Sequence, residues 1–111
     1  MPLKPILSWI TLAFFLSPPS VEAAEPLRNA DLKRAEQIVA GRCFLCHGAE
    51  GESSSPIYPR LAGQHAAYLE GQLKDFNKRE RTNDNAAMHT VASKLTELEI
   101  KAVAAYISGL E

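Results

Sequence analysis

Both cysteines of the chain fall in one short run, Cys43-Phe44-Leu45-Cys46-His47. On a helix, residues three apart are neighbours on the same face. The two thiols therefore stand side by side, with an imidazole directly after them. This C-x-x-C-H pattern is the attachment site for a c-type haem. The thiols form thioethers with the two vinyl groups of the macrocycle, and His47 is placed to offer a ring nitrogen to the iron. Three other uses of the pattern fit less well. A disulfide between Cys43 and Cys46 closes almost no loop and stabilises little. A thioredoxin-like redox pair needs a βαβ setting, and no strand is visible. A zinc site needs further ligands, and His65 and His89 are not at H-x₃₋₅-H spacing.

Length and charge narrow the setting. At 111 residues the chain has room for one domain, not a two-domain enzyme. Lys and Arg number 12 against 13 Asp and Glu, a net charge of −1 without the basic excess that nucleic-acid binding requires. Two cysteines also exclude a disulfide-scaffold miniprotein. The N-terminal segment reads as an export signal: Lys4, a mostly apolar run over 6–16, breakers at 17–20, and Val21 and Ala23 at the small-residue positions of a cleavage site. The apolar run is too short for a membrane span of about 20 residues. The expected organisation is a signal peptide over 1–23, cleaved on export to a bacterial periplasm, followed by one domain over 24–111.

That domain reads as helical. Leu32, Ala35, Ile38, Val39 and Cys43 recur at helical spacing, with Asn29 or Asp31 as the expected cap. Glycine, serine and proline over 48–63 disfavour regular structure. Ala66, Leu69, Leu73 and Phe76 line one face of a second helix, and the stretch 77–85 is polar. Thr96-Glu97-Leu98-Glu99 opens a last helix with a capping-box pattern, and its apolar face is Ile100, Val103, Ala104, Ile107 and Leu110. The predicted class is all-α. So small a helical core calls for a staple, and a covalently held haem supplies one.

A six-coordinate haem needs a second axial ligand. Once the signal is removed, Met88 is the only thioether in the chain, and His65 and His89 are the rival donors. A lone Met is ordinarily core filling. Here, however, it follows the polar and small run Asn83-Asp84-Asn85-Ala86-Ala87, where a large apolar side chain calls for a reason.

From 31 to 110 the chain resembles a class I c-type cytochrome, and within that class one half of the two-haem bacterial cytochromes of the c-four type. The anchors are the haem motif with Gly48, then Pro59-Arg60-Leu61-Ala62-Gly63-Gln64, Tyr68-Leu69, Gln72-Leu73 and Phe76. Arg81-Thr82-Asn83-Asp84, Met88 and Ala104-Ala105-Tyr106 complete them. The chain departs from the c-four pattern in having one haem motif and no second domain. The resemblance implies a class I cytochrome c fold packed around one haem c, with Cys43 and Cys46 as thioethers and His47 and Met88 as axial ligands. It also implies that the Pro59 carbonyl accepts a hydrogen bond from His47, a contact that fixes ring orientation and basicity. Leu61 would pack on the haem face, and Ala35 and Tyr106 would form the crossing of the first and last helices. Arg60, Tyr68 and Arg81 are candidates for the haem propionates.

The expected function is a soluble periplasmic one-electron carrier, not an enzyme, because His and Met ligation leaves no open site for a small-molecule substrate at iron. Its partners would be redox proteins, a donor and an acceptor at or near the membrane. Lys74, Lys78, Arg79 and Arg81 form a basic cluster that could dock an acidic partner. Two other functions compete: a haem-based ligand sensor with a labile distal ligand, and the cytochrome subunit of a periplasmic dehydrogenase.

Overall fold

The computed structural model describes residues 26–110, together with 1–3, 5 and 13–17. The cleavage site expected at 21–24 and most of the apolar run before it lie outside the described residues. Within them no helix is long and apolar enough to cross a membrane.

Among the described residues five α-helices carry the fold: α1 Asn29–Ile38, α2 Phe44–His47, α3 Ala66–Asn77, α4 Ala87–Ala92 and α5 Glu97–Ser108. A π-helical turn, Val39–Cys43, joins α1 to α2, and a 3₁₀ turn, Ala49–Gly51, follows. There is no strand among the described residues, as the hydrophobic periodicity predicts.

Helix α5 is the centre of the packing, with α1 on one side and α3 on another, while α4 rests on α3. Ala35, Val39, Val103 and Ala104 are completely buried, and Ile38, Ile100 and Ile107 nearly so. Small residues at Ala35 and Ala104 let backbones approach closely, and Tyr106 packs against this core beside them. Burial holds the Tyr106 phenol above its ordinary range, with the carboxylates of Glu36 and Glu50 adding to the effect. An ion pair from Arg34 to Glu99, at 3.6 Å, ties the outer faces of α1 and α5.

The capping box read in the sequence is present at α5. The Glu99 amide donates to Thr96 Oγ1 at 3.1 Å, and the Thr96 amide donates to Glu99 Oε1 at 3.0 Å. The start of α1 differs from expectation. Arg28 occupies the cap position, and Asp31 lies inside the first turn, where its carboxylate accepts the Arg28 amide at 2.9 Å. A carboxylate here answers both an orphan donor and the positive end of the helix dipole. The first helix also does not run unbroken to Cys43. It widens into the π turn around Gly41, a residue with poor helix propensity.

Candidate haem site

The path from α1 to α2 delivers all three residues of the motif. Cys43 ends the π turn and is buried, Cys46 is exposed on α2, and His47 closes α2 and is buried. Both thiols are unpaired, so the pair is not a disulfide. Burial pushes the Cys43 thiol up to about 11, against a small opposing pull from Arg42.

The loop over 48–63 is built to fold back on His47. Gly48 turns the chain out of α2 at φ 82 and ψ 164, a region closed to other residues, and a Cβ there would stand 2.9 Å from the Ser53 amide nitrogen. That amide donates to the His47 carbonyl at 2.8 Å. Gly51, at φ 74, is the second pivot: its carbonyl accepts from Leu61 and Ala62 at 2.9 and 3.3 Å, and a Cβ would meet the Ala62 nitrogen at 3.1 Å. The Ser53 hydroxyl sits between the carbonyls of Ser55 and Tyr58, its one proton shared between them, and gathers the tip of the loop. The Tyr58 ring stands edge-on to the His47 ring, with centroids 6.2 Å apart.

The result is one decisive hydrogen bond. His47 Nδ1 donates to the Pro59 carbonyl at 2.8 Å. A carbonyl can only accept, so Nδ1 carries a proton, and in the neutral ring the lone pair is then on Nε2. Nε2 has no hydrogen-bond partner among the described residues, and none of their side-chain nitrogens or oxygens is buried without a partner, so Nε2 is open rather than sealed.

The other expected site residues are distributed as follows. Leu61 is half-buried and packs against the core. Arg60 and Tyr68 are exposed. Arg81 is held firmly rather than solvated: Nη1 donates to Gln72 Oε1 at 2.6 Å, Nε donates to Asn83 Oδ1 at 2.9 Å, and the guanidinium lies 4.5 Å over the Phe76 ring. In the basic cluster Lys74 pairs with Glu70 at 3.0 Å, while Lys78 and Arg79 are exposed.

The three distal candidates also separate. His65 is exposed at the start of α3. His89 is half-buried and donates Nδ1–H to the Phe76 carbonyl at 2.8 Å, which locks α4 onto the end of α3. Met88 is half-buried on α4. Asn77 adds a second lock, from Nδ2 to the Ala92 carbonyl at 2.8 Å. Neither α4 nor its locks were expected from the sequence, because a helix of six residues is too short for periodicity to reveal.

The donor set fits haem and not a bare metal ion. Among the described residues no three His, Cys, Asp or Glu side chains converge on a point, whereas a structural zinc site needs four ligands. Two neighbouring thiols and one imidazole whose Nδ1 is already committed are what a macrocycle with its own equatorial ligands requires.

Comparison with known proteins agrees. The family model for cytochrome c matches residues 32–111. The chain belongs to the cytochrome c family. It is 42% identical over 107 residues to cytochrome c4 of Azotobacter vinelandii, covering 88% of this chain and 51% of that one. It is 43% identical over 72 residues to cytochrome c-554(548) of Halomonas halodenitrificans, covering 64% of this chain and 87% of that one. The crystal structure of reduced recombinant cytochrome c4 from Pseudomonas stutzeri superposes with a TM-score of 0.70 at 37% identity, covering 76% of this chain and 50% of that one. This cytochrome c domain thus spans about half the length of the cytochrome c4 chains it matches. Its fold is the all-α class I fold, and its cofactor is a covalently attached haem c. Electron transport is the activity that the family supports.

Proposed function

We propose that this cytochrome is a periplasmic one-electron carrier whose haem is ligated by His47 and Met88. The observation that carries the reading is the hydrogen bond from His47 Nδ1 to the Pro59 carbonyl, which commits one ring nitrogen and frees the other for iron. Haem c supplies, when bound, an iron that gains or loses one electron. The chain does the rest. Cys43 and Cys46 hold the group through thioethers, and His47 presents Nε2 in a fixed orientation and with raised basicity. Met88 would offer its thioether as the second protein ligand and favour the ferrous state, raising the potential. Leu61 would pack on the haem face and exclude water, while Arg60, Tyr68 and Arg81 would serve the propionates. Arg81 is the best prepared of the three, since Gln72 and Asn83 already fix its guanidinium.

With His47 and Met88 both committed to the iron, no site would remain there for a diatomic or a substrate, and the protein would exchange electrons at its surface without itself catalysing a reaction. Residues 1–23 direct export and are removed, and 24–111 form the working domain. The partners are a donor and an acceptor redox protein, and exposed Lys78 and Arg79 offer positive charge for docking an acidic one. Carbon monoxide tests the reading: the reduced protein at neutral pH is expected to leave it unbound. Ready binding would favour a ligand sensor instead.

A further inference from the structure

The entrance to α4 has an unusual backbone. Asn85 and Ala86 both take positive φ, 50 and 67, directly before the helix. A Cβ makes this region costly, and two such residues in succession persist only where their surroundings over-determine them. Ala86 occupies the cap position of α4 and has no side chain with which to cap it. The acceptor comes instead from Asp84. Its Oδ1 accepts the Ala86 amide at 3.1 Å, and its Oδ2 accepts the His89 amide at 2.8 Å. These two bonds bracket Met88 in the sequence. Both lower the Asp84 carboxyl below its usual range, the His89 amide most, so the acceptor is a charged one. Behind the helix, His89 and Asn77 fasten α4 to the end of α3. The locks hold the body of the helix, and Asp84 sets the turn from which Met88 departs.

We propose that Asp84 is a positioning residue for Met88, its carboxylate holding the left-handed Asn85–Ala86 turn so that the thioether stays on the iron. This rests on the reading of Met88 as the distal ligand. If Asp84 lets go, the turn relaxes, and Met88 loses its advantage over a competing ligand although every residue that touches the haem is still present.

The test is imidazole titration of the ferric holoprotein, followed at the far-red band that reports sulfur ligation. Asp84→Asn keeps one acceptor oxygen and is expected to bind imidazole more tightly than wild type. Asp84→Ala removes both acceptors and is expected to gain about tenfold in imidazole affinity, the equivalent of one lost helix cap. Thr96→Ala removes a cap of the same kind from α5 instead of α4, and is expected to leave the affinity unchanged. Equal affinities in wild type and both Asp84 variants would overturn the proposal, as would an equal rise in Thr96→Ala. If Asp84→Ala fails to fold, Asp84→Asn against Thr96→Ala decides alone. Met88→Leu separates the two failures. An intact far-red band there overturns the ligand assignment itself. Its loss there, with unaltered imidazole affinity in the Asp84 variants, overturns only the positioning role.

Discussion

Replacing Gly48 by alanine should damage the site without touching a ligand. At φ 82 and ψ 164 the residue lies in a region essentially reserved for glycine, and an alanine there costs about 1–3 kcal/mol. The new Cβ would meet the Ser53 nitrogen at 2.9 Å and its Cα at 3.1 Å. Both are backbone atoms that cannot swing aside, and forcing them apart costs about 1–3 kcal/mol more. Reduced freedom of the unfolded chain returns less than about 1 kcal/mol. The expected net loss is about 1–6 kcal/mol, against the roughly 5–15 kcal/mol that a domain possesses. The displaced Ser53 amide is the one that donates to the His47 carbonyl, so the imidazole is disturbed as well. Guanidinium unfolding of the holoprotein, followed by helical circular dichroism and by the haem spectrum, measures both effects. Gly71 is the control. It lies within α3, where an added Cβ would have nothing within 4 Å, and Gly71→Ala should gain about 0.5–1 kcal/mol. A Gly48→Ala protein within about 0.5 kcal/mol of wild type would refute the reasoning, since both its strain and its contact would then be illusory.

Other expected outcomes follow from the same geometry. Pro59→Ala keeps the carbonyl that accepts from His47, so the reduction potential should hold while stability falls by about 0.4–1 kcal/mol; voltammetry and denaturation check the two halves separately. Glu99 is held below its ordinary value of 4.5, first by its hydrogen bond from the Thr96 amide. A depressed folded value means that its stabilisation is present above pH 4.5 and is lost as pH falls through the folded value. Melting curves of wild type and Glu99→Gln should therefore converge on acidification, and a gap that widens would contradict the sign. Cys43→Ala with Cys46→Ala should leave an apoprotein that is largely unfolded and easily proteolysed, because a group bound only by the folded state contributes its binding energy to folding. Native helical signal and cooperative melting without haem would count against that.

Local chemistry decides how much of this could be read before the structure. The haem motif was legible because it is contiguous and each of its positions has a chemical duty. Helices α3 and α5 were legible because they are long enough for apolar residues to repeat, and Thr96 and Glu99 mark a helix start. The His47–Pro59 bond was expected from resemblance alone, since no spacing rule brings a carbonyl from a loop over an imidazole. The pivots that make it possible, Gly48 and Gly51, are visible only as loop formers until the Ser53 and Ala62 backbones are seen pressed against them. Helix α4 escaped notice because six residues carry no period, and because its cap lies two residues outside the usual place. In the sequence Arg81 is one charge of a basic cluster; Gln72, Asn83 and Phe76 come together around it only in three dimensions.

The most direct test of the carrier reading is a redox titration of the exported protein beside its Met88→Leu variant, with the ferric far-red band recorded at each point. Leucine roughly keeps the packing volume, so a change reports lost ligation rather than a cavity. The expected result is a single reversible one-electron transition in wild type, and in the variant a lower potential with no far-red band. An unchanged band and an unchanged potential in Met88→Leu would contradict it.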